Sequence, residues 1–260
     1  MTAFLVASLL APFYAYVNPE VRTTYLSLGK IVEDRPMQVT AVGFGWDTGI
    51  LGRFGVKNWN VSSLTDRRHD VHRHALYHYE MGPAWQYDWK FSDAWRLRFD
   101  LTRHWTVYDG FKNPGGDNVY HWWEFGQALE NPYVVPYYRL RHSFRTSDFF
   151  YFGVGLRKRI PIWRSWYATP CVYVEGGNAG NSRRMFGNNV RGDSWGYGQV
   201  TSVTMRLETG WRFNEHFTCF AYVEQYEVVG DDARATNAAS DYLCTHNDWT
   251  LGGVGIRMAF

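Results

Sequence analysis

The chain has 260 residues and a formal net charge of +2, and this near-neutral balance argues against a nucleic-acid-binding surface. Aromatic residues make up 18% of it, with 13 Trp, 18 Tyr and 17 Phe, more than a soluble core usually needs. The mean hydropathy of -0.39 does not exclude a membrane protein, because strands that alternate polar and apolar residues average to a low value.

Residues 3–17 are mostly apolar, are interrupted by Pro12, and contain no Lys or Arg. This stretch is shorter than the roughly 20 apolar residues that a transmembrane helix needs. It resembles the apolar part of a secretory signal peptide. We therefore expect residues 1–20 to be a signal-peptide remnant or an N-terminal segment, and residues 21–260 to form the folded domain. A first strand, or a segment tucked into the fold, is the alternative.

From residue 21 onward, every clear segment alternates apolar and polar residues, and none shows a helical period. Trp95, Leu97, Phe99 and Leu101, for example, alternate with three charged residues and a threonine. The segment 73–90 alternates for longer than most soluble strands, as a tilted membrane strand would. Turn signals between the segments indicate about twelve strands. They are predicted at 21–32, 36–46, 49–60, 73–90, 94–107, 118–130, 133–145, 148–160, 164–178, 199–213, 217–229 and 248–260.

The connections between these strands alternate in length. The turns at 47–49, 91–93, 130–132, around Ile162 and at 214–216 are short, whereas connections such as 108–117 and 178–197 are long and polar. Two connections on the long-loop side, near Glu33 and Thr146, are short exceptions. Short turns on one side and longer loops on the other are typical of bacterial outer-membrane barrels. The sequence therefore predicts an all-β fold, a closed antiparallel transmembrane β-barrel of about 12 strands. A soluble β-sandwich is the alternative.

The last strand ends on Phe260, which shares an apolar face with Val254, Ile256 and Met258. A terminal phenylalanine of this kind resembles the signal that directs barrels to the outer-membrane assembly machinery. The expected location is therefore the bacterial outer membrane. The expected partners are this machinery, membrane lipid and lipopolysaccharide, with a homo-oligomer also allowed. An even strand number places Phe260 on the periplasmic side. The aromatic residues expected to form a membrane girdle there are Trp46, Trp89, Trp95, Trp166, Trp211, Phe217 and Phe260.

Short motifs in the same order resemble a family of uncharacterised proteobacterial outer-membrane proteins. The resemblance covers residues 21–178 and the final strand, and it implies the fold and the location but no chemistry. The motifs that carry it are Tyr25-Leu26-Ser27-Leu28-Gly29-Lys30, Asp34-Arg35-Pro36, the Gly-rich pair from Gly43 to Val56, the hairpin from Glu124 to Arg141, His142-Ser143-Phe144 and Gly153-Val154-Gly155-Leu156.

The face opposite the apolar one carries more basic than acidic residues. The basic residues predicted to line the lumen are Arg53, Lys57, Arg96, Arg98, Arg139, Arg141, Arg157, Arg159, Arg206, Arg212 and Arg257. The acidic ones are Glu80, Asp88, Asp100, Glu124, Glu175, Glu208 and Glu224. Such a lumen fits a narrow channel for small polar or anionic solutes, because rings of Arg select anions. The alternative is a plugged barrel with paired charges, acting through its outer loops or its assembly.

Catalytic, metal and redox chemistry are not expected. A lipid-modifying enzyme is disfavoured, because His142 and Ser143 are adjacent on a strand and point to opposite faces. The histidines at 69, 72, 74 and 78 fit a solvated strand end better than a metal site. Cys171, Cys219 and Cys244 show no metal-ligand spacing and no disulfide framework. No cofactor is implied, and we expect a protein that is not an enzyme.

Overall fold

The computed structural model describes residues 13–27, 30–33, 35–64, 78–108, 119–143, 149–186, 189–190, 199–239 and 246–260. The strands in chain order are β1 (Phe13–Arg22), β2 (Tyr25–Ser27), β3 (Lys30–Glu33), β4 (Met37–Asp47), β5 (Arg53–Ser63), β6 (His78–Lys90), β7 (Arg96–Tyr108), β8 (Val119–Glu130), β9 (Val135–Ser143), β10 (Phe149–Arg157), β11 (Ile160–Trp163), β12 (Trp166–Gly177), β13 (Gln199–Arg212), β14 (Phe217–Val228) and β15 (Asp248–Ala259).

Twelve of these strands form the wall of a closed antiparallel barrel. The order around the sheet is β10–β9–β8–β7–β6–β5–β4–β1–β15–β14–β13–β12, and pairing of β10 with β12 closes the ring. The short strand β11 continues the sheet beside β12, and β2 pairs with β3 in a separate hairpin. The predicted fold class and strand number are confirmed.

The first wall strand differs from the prediction. The structure places β1 at Phe13–Arg22, where it pairs with β4 and β15, whereas the sequence predicted a strand at 21–32. The part after Arg22 forms the β2–β3 hairpin instead. Alternation in β1 is hidden because its interior face begins with Tyr14 and Tyr16 rather than with charges. The wall thus begins upstream of the predicted boundary at residue 21. Residues 1–12, where most of the expected signal remnant falls, lie outside the described residues.

A second difference lies at the periplasmic end of β10. The sequence predicted a tight turn around Ile162, but Ile160–Trp163 forms strand β11, which pairs with the first residues of β12. The chain reverses after Trp163 at Arg164, whose φ of 47° is left-handed. The alternating apolar residues of this segment therefore extend the wall instead of ending it.

The exposed face of the wall is apolar and the buried face is polar. Phe44, Val154 and Met205 are each more than half exposed, whereas Glu80 and Glu175 are almost fully buried. The polar face is the concave one, because Tyr16 on β1 reaches over two strands to donate a hydrogen bond to Gln86 on β6, at 2.9 Å. Only lipid solvates such an outer surface favourably, and a closed barrel leaves no unpaired strand edge there. The protein spans the bacterial outer membrane.

Interior tyrosines pack against glycines of the neighbouring strands. A Cβ atom at Gly43 would lie 2.5 Å from ring atoms of Tyr16, and one at Gly210 would lie 2.2 Å from Cζ of Tyr167. These positions need glycine because the rings lie flat against the backbone of the next strand. The rings thereby fill the barrel without widening it.

Two helices lie in the connections of the outer side. The first, α1 (Ala179–Phe186), follows Asn178, whose Oδ1 accepts a hydrogen bond from the N–H of Asn181 at 2.9 Å. The second, α2 (Asp231–Ala239), has two aspartates in its first turn, where their negative charges interact favourably with the helix dipole. None of the described helices is long and apolar enough to cross a membrane.

Candidate functional site: the barrel interior

The periplasmic end of the barrel holds a cavity of about 1030 Å³ between three turns. Two ion pairs stand at its edge: Arg53 Nε lies 2.6 Å from Asp47 Oδ2, and Lys90 Nζ lies 2.7 Å from Asp93 Oδ1. The hydrogen bond from Lys90 lowers the pKa of Asp93, so this exposed carboxyl is ionised at neutral pH. The charged residues that line the cavity are Asp47, Arg53, Asp88, Lys90, Asp93, Arg96 and Glu130. We call this cavity the vestibule.

One wall above the vestibule carries charges of alternating sign. Arg98 donates to both carboxylate oxygens of Asp88, at 2.9 and 3.2 Å, and its Nη1 lies 3.4 Å from Glu130 Oε1. Arg157 reaches over β9 to the same Glu130 oxygen, at 2.5 Å. These bonds join three neighbouring strands, β6, β7 and β8, to β10 through side chains alone. They hold both guanidinium groups beside carboxylates of the wall.

The opposite wall repeats this arrangement. Arg257 and Arg206 both contact Glu208, and Arg206 Nη1 also lies 3.6 Å from Glu224 Oε2. Nearer the outer side, Arg22 Nε lies 2.6 Å from Glu20 Oε1, which also accepts a hydrogen bond from the Tyr222 hydroxyl. Charges buried in this way need partners, and the neighbouring strands provide them.

A largely buried group of ionisable side chains lies in the outer half of the wall. His104 Nδ1 lies 2.8 Å from Glu80 Oε1, and its Nε2 lies 3.7 Å from Glu124 Oε2. Arg141 in turn donates to Glu124. The rings of Trp59 and Trp122 contact the imidazole of His104. This group links β6 to β9 and is shielded from the lumen by indole rings.

Three predicted lumen arginines differ from the others. Among the residues that the structure describes, no carboxylate forms an ion pair with Arg139, Arg159 or Arg212. The guanidinium of Arg139 lies 5.3 Å from the ring centre of Tyr173, and that of Arg159 lies 3.6 Å from the ring centre of Tyr167. An aromatic face neutralises much less charge than a carboxylate does. Arg139 therefore adds basic charge within the interior, and Arg159 and Arg212 add it at the periplasmic rim.

The outer end of the interior contains an apolar cluster. Both outer helices fold onto it, and side chains of α1, α2 and four wall strands form one buried cluster. Its members are Met37, Val39, Val61, Phe149, Tyr151, Met185, Phe186, Tyr226, Val228 and Ala233. Asn189 donates to Asp232, and the N–H of Val190 donates to Thr236, so the segment after α1 is tied to α2. We call the two helices and this cluster the outer plug.

The residues predicted to line the lumen lie on the interior face of the wall or, for Arg159 and Arg212, at its periplasmic rim. Their role in selectivity stays a prediction. Of the predicted girdle residues, all but Trp95 are exposed on the outer face near the periplasmic strand ends, and Trp95 is half-buried. Their place in the membrane interface likewise stays a prediction.

The sequence analysis missed several interior charges. Glu20 lies in β1 just before the predicted start of the wall, Arg22 lies at the start of the predicted strand 21–32, and Glu130 was assigned to a turn. Their signal was present, because each continues the alternation of its strand by one or two further steps. His104 was also missed, since it carries no motif and is recognisable only from its partners across the sheet.

The described residues His142 and Ser143 bond to separate main-chain carbonyl groups and not to each other. His142 Nδ1 lies 3.0 Å from the carbonyl oxygen of Phe149, while the Ser143 hydroxyl donates to the carbonyl of His121. The histidines at 69, 72 and 74 lie outside the described residues, as does Cys244. The described cysteines, Cys171 and Cys219, are free thiols. In the described part of the chain, no group of three or more His, Cys, Asp or Glu residues could hold a metal ion.

Comparisons with known proteins extend the fold assignment. No protein-family model matches the chain, and no curated protein matches its sequence. A mutant of TodX, described as a monoaromatic hydrocarbon channel, matches with a TM-score of 0.52 at 7% identity, over 98% of this chain and 91% of that one. The KdgM porin in complex with disordered oligogalacturonate matches with a TM-score of 0.49 at 10% identity, over 95% and 99%. The translocator domain of the autotransporter NalP from Neisseria meningitidis matches with a TM-score of 0.45 at 12% identity, over 100% and 93%. The similarity to TodX supports the conclusion that this chain has the fold of an outer-membrane β-barrel.

Proposed function

We propose that the protein is a small porin-like channel for small polar or anionic solutes. The observation that carries this proposal is the charged interior, which begins at the open vestibule and continues up both walls. Most of these charges are held in pairs with residues of neighbouring strands, which is the arrangement that a charged channel lining needs. A purely structural barrel has no need for a charged cavity of about 1030 Å³ at one end.

The basic excess favours anions over cations. Arg139 stands in the middle of β9, while Arg159 and Arg212 stand at the periplasmic rim, so the three guanidinium groups are spread along the path. Arginine stays charged at any physiological pH and binds carboxylate and phosphate groups through two parallel hydrogen bonds. A solute bearing such a group is the one this interior would attract.

Planar-bilayer recordings of the purified protein test the proposal. We expect discrete conducting events and, in a salt gradient, a reversal potential that indicates anion preference. Arg139→Gln should shift this potential towards cations, whereas Arg164→Gln, in the turn after β11, should leave it unchanged. Silence at all voltages would overturn the channel. If the Arg139→Gln variant conducts with an unchanged reversal potential, Arg139 does not contribute to ion selectivity.

A plugged barrel is the second candidate, and the outer plug favours it. The buried cluster places apolar side chains at the outer end, and a polar solute would lose hydrogen bonds to water on passing them, at a cost in free energy. Phe186→Asn places an amide in this cluster. If the wild-type protein is silent and Phe186→Asn conducts, the lumen is normally plugged. Heat-modifiable gel migration of both proteins shows that each is folded.

A further inference from the structure

Arg103 is a charged residue on the lipid-facing side of the wall. Its neighbours Thr102 and His104 are buried in the interior, so Arg103 points outward, and its side chain is exposed. It lies in the outer half of β7, which begins after the periplasmic turn at residue 95 and ends at Tyr108. A guanidinium at this position therefore faces the outer leaflet.

Indole rings surround this guanidinium. Its central carbon lies 4.9 Å from the ring centre of Trp105 and 5.7 Å from that of Trp123. Trp123 in turn stacks on Trp85, with 6.2 Å between ring centres and an angle of 14° between the planes. Clustered Trp side chains are typical of the boundary between hydrocarbon and headgroups. Such rings beside Arg103 favour a position for its guanidinium at the depth of the lipid headgroups.

Within the described ranges, no carboxylate forms an ion pair with Arg103. An unpaired Arg on the outer face of a barrel is strongly destabilising at the midplane and nearly neutral close to the interface. The arginine is therefore tolerated at this depth, where its five N–H donors can reach anionic headgroups.

We propose that Arg103, held between Trp105 and Trp123, binds a phosphate group of lipopolysaccharide in the outer leaflet. Two parallel N–H donors of the guanidinium match two phosphate oxygens, and the indoles pack against the glycolipid beside it. Lipopolysaccharide is the source we assign because Arg103 lies on the outer half of the barrel. This inference rests on the orientation in the membrane and is independent of whether the lumen conducts.

Native mass spectrometry of the folded protein in detergent, titrated with bis-phosphorylated lipid A, tests the site. The matched control is Arg164, whose guanidinium also lies over an indole, 4.7 Å from the ring centre of Trp163, but at the periplasmic end. We expect Arg103→Gln to weaken lipid A binding about tenfold, the loss of one charge-assisted contact. Arg164→Gln should bind like the wild type, and Arg103→Lys should keep part of the affinity.

Each other outcome argues against the site. If Arg103→Gln binds lipid A as tightly as the wild type, Arg103 is not part of a lipid A site. If Arg103→Gln and Arg164→Gln lose the same affinity, the binding is non-specific charge attraction. The wild type and Arg103→Gln should bind dephosphorylated lipid A with equal affinity. If their affinities still differ, Arg103 does not contact a phosphate group. If phosphatidylglycerol binds as tightly as lipid A and with the same dependence on Arg103, the assignment to lipopolysaccharide is wrong. Heat-modifiable migration of every variant confirms that it is folded.

Discussion

Arg257 holds both carboxylate oxygens of Glu208 across strand β14, with Nη1 2.7 Å from Oε1 and Nη2 2.8 Å from Oε2. The same Nη1 donates to the hydroxyl of Tyr167 on β12, at 2.7 Å. One guanidinium thereby connects the last strand of the chain to two strands further round the barrel. Because Arg257 stands three residues before the chain end, this contact fastens the strand that completes the wall.

Breaking this contact should destabilise the folded barrel. Arg257→Met leaves the carboxylate of Glu208 buried and with fewer donors, and we expect a loss of about 1–3 kcal/mol in the free energy of unfolding. Urea titration of the protein refolded into lipid vesicles measures it. The exposed pair between Lys90 and Asp93 is the control, since Lys90→Gln should leave the free energy of unfolding nearly unchanged. Equal effects of the two variants would contradict the structural role of Arg257.

Gly43 should not tolerate a side chain. Gly43→Ala places a Cβ atom 2.5 Å from the ring of Tyr16, and the ring must move away from Gln86. We expect a loss of about 1–3 kcal/mol, as for other overpacked sites. Gly126→Ala is the control, because its Cβ atom would find its nearest neighbour at 3.6 Å, an ordinary contact. If both variants unfold at the same urea concentration, Tyr16 does not pack as described.

The free cysteines report which face of the wall meets water. Cys171 is on the interior face, with its Sγ 2.9 Å from the hydroxyl of Tyr137, whereas Cys219 pairs with Ile256 on the outer face. In a chain that keeps Cys171 as its sole cysteine, a charged thiol reagent should modify the protein in lipid vesicles. A chain that keeps Cys219 alone should react far more slowly. Mass spectrometry after timed quenching measures both modification rates. Faster modification of Cys219 than of Cys171 would contradict the assignment of Cys171 to the interior face and Cys219 to the outer face.

Phe260 should matter more for assembly in cells than for stability. Its main chain exchanges two hydrogen bonds with Ala15, at 2.8 and 2.9 Å, and its ring is 60% exposed beside His216 and Phe217. Phe260→Ala keeps the main-chain bonds, so spontaneous folding in detergent should be nearly unchanged. The amount of folded protein in the outer membrane should fall severalfold. Phe217→Ala, at the same rim, is the control, and equal levels for both variants would contradict a terminal signal.

Alternation in the sequence was enough to predict the wall of the barrel. Each strand from β4 to β15 lies within a few residues of its prediction, except β11, because lipid outside and charge inside impose a period of two on every strand. Strand β1 was predicted in the wrong place because the interior face of its first half carries the aromatic residues Tyr14 and Tyr16. A clear contrast in polarity between its two faces begins only at Asn18.

Only the tertiary structure decided which interior residues contact each other. Alternation puts Arg139 and Arg257 on the same face, yet Arg257 meets Glu208 whereas Arg139 meets the ring of Tyr173. Register across neighbouring strands decides such pairs, and a period of two within one strand carries no information on it. The sequence left a plugged barrel open as an alternative, but it did not predict the helices α1 and α2 or their cluster, because these take their places from contacts with strands distant in sequence. The sequence by itself determined that this chain is a barrel with a charged interior, and only the folded arrangement decided which charges stay unpaired and which end is filled.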